Sequence, residues 1–227
     1  MSALRVAVLL TAAALSACTL PHSATKPAAA GTVALPPPQL IAAVERDTER
    51  IDHSQDSAER TGLLATATAN AQQCLAQAPD SGACHYAWAQ VLGLTARERP
   101  AQALALLKEM LANLARAEAL DPAFDHGGPA RLSAVVLLRA PGWPLGPGDA
   151  DAAVLAAQRA LDQDAAYPPN LITLAQAQAK TDEREAARAT FAKARLAVQA
   201  WPAATAEEAA KNASWQRDVD QGSQQLR

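Results

Sequence analysis

The chain has 227 residues, half of them hydrophobic and 19% charged, with a net charge of −3 at pH 7. The charges are interspersed and form no basic stripe, which excludes nucleic acid as a partner. The length accommodates one domain behind an N-terminal segment.

The opening MSALRVAVLLTAAALSACTL sets Arg5 ahead of an apolar run from Val6 to Leu15, followed by Ser16, Ala17 and Cys18. A charged start, a short apolar core and small residues at a cleavage point form a secretory signal. The run is too short to span a bilayer as a helix. The L-S-A-C ending resembles a bacterial lipobox, which implies cleavage before Cys18 and acylation of its sulfur and new amino group. The alternative is an ordinary signal peptide with a chance cysteine. Several acyl chains make such an anchor effectively permanent. Thr19, where a retained lipoprotein carries aspartate, points to the outer membrane with the body facing the periplasm. The expected organisation is a signal over 1–17, a lipidated Pro/Ala-rich tether over 18–38, and a folded domain over 39–227.

Past residue 40 no alternating segment is long enough for a strand, and helical periodicity dominates. A first helix is expected over 39–53, with Leu40, Val44 and Ile51 on one face. A second starts at Asp56, with Glu59 three residues on as a capping box, and stops before Pro79. Two more are expected over 129–140 and 150–163. They flank RAPGWPLGPGDAD, in which Asp149 or Asp151 serves as N-cap. A last, mostly polar helix over 205–221 opens on the capping box Thr205 and Glu208, and its Trp215 covers the preceding helices.

Helix-ending phrases recur: CLAQAPDS, ARAEALDP and QRALDQDA place Pro79, Pro122 and Ala165 at equal spacing. They resemble the end of a tetratricopeptide repeat, in which a small residue five positions earlier packs on the next helix. The predicted fold is therefore all-α, a solenoid of tetratricopeptide-like helical hairpins with a C-terminal capping helix. An alanine-rich bundle without repeats is the alternative.

Cys74 ends one helix and Cys84 begins the next across a short turn. They form either a disulfide, as an oxidising compartment permits, or two buried thiols. The repeat register points Tyr86, Gln90, His126, Ser133, Ile172 and Gln176 into the concave groove, a neutral, half-apolar lining. Gly127 and Gly128 precede Pro129 at a helix start, either as an anion site or as a tight turn with positive φ. Arg131 lies in the first turn of a nearly all-apolar helix. It is either paired by Asp125, Asp149 or Asp151 or held ready for an anionic ligand. Trp143 either plugs a core or walls the groove. His85 and His126 stand without further ligands at metal spacing, so no metal or other cofactor is expected. No nucleophile elbow, paired-carboxylate motif or Cys-x-x-Cys occurs, so no enzymatic activity is expected.

From Cys84 to about Ala197, HYAWAQVLGL, ALDPAFDHGGPARL, RAPGWPLGPGD and NLITLAQAQAKTDEREAARATFAKA follow one another. This succession resembles the T-component family of TRAP transporters, periplasmic lipoproteins with a tetratricopeptide-like fold. The resemblance covers about half of the chain, and the doubled glycine with Arg131 is its most specific part. It implies an auxiliary subunit of solute uptake that associates with a periplasmic solute-binding protein, handles a small ligand, and self-associates. The rival expectation is an adaptor that holds envelope-assembly or secretion proteins through the same groove.

Overall fold

A computed structural model describes residues 35–227. The expected signal, Cys18 and most of the expected tether lie outside the described residues. Nine α-helices run through the described part: α1 (Pro37–His53), α2 (Ser57–Gln77), α3 (Gly82–Glu98), α4 (Ala103–Leu120), α5 (Phe124–Arg139), α6 (Ala150–Gln163), α7 (Pro168–Lys180), α8 (Arg184–Ala200) and α9 (Ala206–Gln225). There is no β-strand among these residues, and the described part is all-α. No described helix is long and apolar enough to cross a membrane.

Local chemistry sets the helix ends. Pro37, which has no amide hydrogen to leave unpaired, opens α1 two residues earlier than expected. Asp56 caps α2 through Ala58 N at 2.8 Å, but the expected capping box does not close. The Glu59 carboxylate instead accepts from Ser54 Oγ and Arg50 Nη2, both at 2.7 Å. At α9 both halves of the Thr205–Glu208 box form. That helix runs to Gln225 rather than 221, followed by a buried Leu226 whose carbonyl accepts from Arg188. Asp149 caps α6 through Ala152 N at 2.9 Å.

Sequence neighbours pack as pairs, and α1, α3, α5, α7 and α9 also touch one another in that order. The core is correspondingly spread along the chain. Val44, Leu64 and Val91 form a cluster across α1–α3, and Leu92, Leu114 and Val136 form the next across α3–α5. Ala134, Ala157 and Leu174 join α5–α7, and Ile172, Phe191 and Val219 join α7–α9. Fully buried alanines such as Ala67, Ala117, Ala160 and Ala187 let backbones approach closely. The larger side chains fill the space between.

Cys74 and Cys84 are joined in a disulfide with Cα atoms 5.5 Å apart. It ties the end of α2 to the start of α3 and is buried beside Leu40.

Candidate functional site

The segment DHGGPAR builds a polar assembly with residues of α3 and α7. Asp125, His126 and Gly127 all adopt left-handed backbone angles, with φ of 49°, 56° and 82°. Two of them are not glycine, and such residues pay about 1 kcal/mol or more each in this region. Regular helix begins only at Gly128, so the first turn of α5 is a left-handed entry rather than the plain start expected at 129.

Side chains from three helices hold this turn. Arg131 Nη1 donates to the carbonyls of Asp125 at 3.0 Å and His126 at 3.4 Å, and its Nη2 reaches Asp125 Oδ2 at 2.6 Å. Asn170 on α7 is fully buried. Its amide donates to His126 O at 2.8 Å, Ala160 O at 2.9 Å and Asp164 O at 3.0 Å, while its Oδ1 accepts from Arg131 Nη1 at 3.0 Å. The Tyr86 hydroxyl donates to Asp125 Oδ2 at 2.9 Å. Burial first, and then the Asp125 charge, push the Tyr86 phenol well above its ordinary range, so it stays protonated and donating. The Arg131 guanidinium also lies 5.0 Å from the Tyr167 ring centroid.

Of the two fates open to Arg131, the structure displays internal pairing by Asp125. Of those open to the glycines, it displays the turn. The Asp125 carboxylate crowds Gly128, and a Cβ at Gly127 would stand 2.7 Å from Ala160 O. His126 stacks on Tyr167 at 4.2 Å and donates from Nδ1 to Asp164 Oδ2 at 2.7 Å. Burial raises the Asp164 carboxyl. The hydrogen bond from His126, the amides of Ala166 and Tyr167 and the His126 charge outweigh this and bring it below the usual carboxylate range. Trp201 and Trp215 pack edge-on against Tyr167 at 5.2 and 5.7 Å.

Beside this assembly runs a recess made by the odd-numbered helices together with α4 and α8. Its largest cavity, about 650 Å³, is lined by Tyr86, Gln90, Leu107, Met110, Val135 and Arg139 among others. The Gln90 Oε1 atom is buried there without a hydrogen-bond partner among the described residues. A second cavity of about 210 Å³ has Arg131, Val135, Arg139, Ile172, Gln176, Trp215 and Asp218 in its wall. A third, of about 300 Å³, is bounded by Arg139, Gln176, Phe191, Asp218, Gln221 and Gln225.

Four of the six expected groove residues, Tyr86, Gln90, Ile172 and Gln176, therefore line the recess. The other two do not line it. Ser133 is buried, with its hydroxyl returned to Pro129 O at 2.9 Å, and His126 is taken up by Tyr167 and Asp164. Trp143 neither plugs a core nor walls the groove, because it is 90% exposed. Its loop closes through backbone bonds, Gly148 N to Pro141 O at 2.8 Å and Leu145 N to Gly142 O at 3.0 Å, so no side chain is needed to hold it. His85 is spanned between Asn113 Oδ1 and Pro79 O.

Sequence reasoning missed Arg139 and Asp218. Arg139 falls two helical turns beyond Arg131 on the same face, with Val135 between them, and this periodicity was the available signal. No group of three or more His, Cys, Asp or Glu among the described residues is placed to hold a metal. No protein-family model matches the chain, and no curated protein does.

Proposed function

We propose that the protein is a lipid-anchored, periplasm-facing binding component of solute uptake, similar in role to the T-components of TRAP transporters. In this reading it captures a small ligand in the recess along α3, α5, α7 and α9. The observation that carries the reading is the recess itself, a series of cavities sharing Arg139 and lined by both apolar and polar side chains. Binding sites for small molecules combine an apolar lining with a few convergent polar groups in this way.

The finer fold assignment, tetratricopeptide-like hairpins stacked as a solenoid, is part of the proposal. Three helix ends support it: Gln77, Leu120 and Gln163 close α2, α4 and α6 at intervals of 43 residues. Their C-caps share one backbone conformation, with φ of −141°, −150° and −150°. Three residues before each end stands a fully buried small residue, Cys74, Ala117 or Ala160. The Cys18 motif supports the anchor, and labelling with a palmitate analogue in wild-type and Cys18→Ala protein tests it.

Native mass spectrometry of the gently purified protein tests the binding role. A bound mass of small-molecule size is expected. A bare protein that instead captures a polypeptide from a periplasmic extract favours the adaptor reading. One observation speaks for that second reading: Trp143 and Leu145 stand 90% and 75% exposed on a loop tied by backbone bonds, and exposed aromatics are favoured contact anchors. Trp143→Ala should then abolish polypeptide capture with no change in melting temperature.

A further inference from the structure

Three polar side chains stand together on the shared wall of the 210 and 300 Å³ cavities: Arg139 from the last turn of α5, Gln176 from α7 and Asp218 from α9. Arg139 and Asp218 belong to none of the ion pairs formed among the described residues. Arg139 and Asp218 thus border the same space without forming an ion pair with each other. The C-terminal end of α5 favours a positive charge at Arg139, but it does not account for a carboxylate facing the same cavities.

Arg131, whose charge is already paired by Asp125, also borders the smaller cavity, as do Tyr86 and Thr173, and the rest of the walls are apolar or amide-bearing. Leu132, Val135 and Ile172 close one side of the smaller cavity, and Phe191 with Gln221 and Gln225 borders the larger. A simple anion drawn to Arg139 would meet the Asp218 charge, and a simple cation drawn to Asp218 would meet Arg139. Only a ligand carrying both signs satisfies both walls. The two volumes lie at or below the low end for drug-sized ligands, which restricts the occupant to a small molecule.

We infer that the recess binds a small zwitterion of the free amino acid type with an aliphatic side chain. Its carboxylate pairs with the Arg139 guanidinium and its ammonium with the Asp218 carboxylate. Gln176 lies at the same wall for hydrogen bonding to either head group, and the side chain rests on Leu132, Val135 and Ile172. The bidentate fork of arginine suits a carboxylate. This inference rests on the small-ligand reading above and gives its ligand a chemical class.

Calorimetric titration tests it with three probes of one shape: L-leucine, N-acetyl-L-leucine, which lacks the ammonium, and L-leucine methyl ester, which lacks the carboxylate. The wild-type protein should bind leucine at least tenfold more tightly than either capped form. Arg139→Gln should weaken leucine binding and erase its advantage over the ester. Asp218→Asn should erase its advantage over the N-acetyl form. Both side chains are exposed, so the variants should melt with the wild type. Equal binding of leucine and N-acetyl-leucine overturns the zwitterion, as does no binding of any probe at millimolar concentration. If native mass spectrometry still finds a small ligand of another class, only the zwitterion falls; a bare protein there removes the small-ligand reading itself.

Discussion

The fully buried Asn170 on α7 accepts a hydrogen bond from Arg131 on α5 at 3.0 Å and fastens three backbone carbonyls with its amide. Those carbonyls belong to the left-handed turn, to α6 and to the α6–α7 connection, so one side chain joins three segments beside the recess. Asn170→Ala should leave them without this donor and cost about 2–4 kcal/mol. At roughly 2–4 °C per kcal/mol for a chain of this size, the melting temperature should fall by about 4–16 °C. Thermal unfolding followed by circular dichroism measures it, and an unchanged melting temperature would show that the clamp contributes nothing.

Two glycines should respond in opposite directions. Gly127 has φ +82° and a Cβ there would press on Ala160 O, whereas Gly62 in α2 has open space around it. Gly127→Ala should destabilise by more than about 1 kcal/mol. Gly62→Ala should stabilise by about 0.5–1 kcal/mol, because it only removes backbone freedom from the unfolded chain. Urea titrations of the two variants give both signs in one experiment.

The Cys74–Cys84 bridge closes a short loop between α2 and α3. In the chain-entropy account it contributes about 2–3 kcal/mol. Reduction, or a paired change of both residues to serine, should lower the melting temperature by about 4–12 °C. A thiol count on the unreduced, denatured protein should find neither cysteine free.

Acid should loosen the same region. The Asp164 carboxyl titrates below its ordinary range, with burial opposing and the His126 and backbone hydrogen bonds favouring the charged form. A depressed folded-state value adds stability that is complete above the unfolded value, about 4, and is lost as the pH falls from there through the folded value. Asp164→Asn keeps an acceptor for His126 but removes the charge. Its stability should be lower by about 0.2–1 kcal/mol at pH 7, the range of a solvent-screened pair, and should converge on the wild type below pH 4. A constant difference between the two across pH 7 to 3 would contradict this origin.

How much of this was legible in the sequence depends on the range of the forces involved. Helix periodicity and caps are local, so α1, α6 and α9 are readable to within a few residues, and Thr205 with Glu208 behaves as its spacing implies. The Asp56 box misleads because Ser54 and Arg50, outside the motif, compete for Glu59. Asn170 carries no local signal at all: its acceptors lie on other segments, 44, 10 and 6 residues away. The recess is legible where one helix face carries it, as at Tyr86 with Gln90 or Ile172 with Gln176. It is illegible at Asp218, whose position depends on how α9 packs against α7. Trp143 misleads for a related reason, since a loop closed by its own backbone leaves its largest side chain to solvent.

Filling the recess tests whether it is a binding site. Val135 lines both the 650 and the 210 Å³ cavities, so Val135→Trp should occupy the space. Native mass spectrometry of this variant beside the wild type, with both first shown to melt alike, reads the outcome. A binding recess gives a small-molecule adduct on the wild type and a bare Val135→Trp protein. The same adduct on both, or on neither, would contradict it.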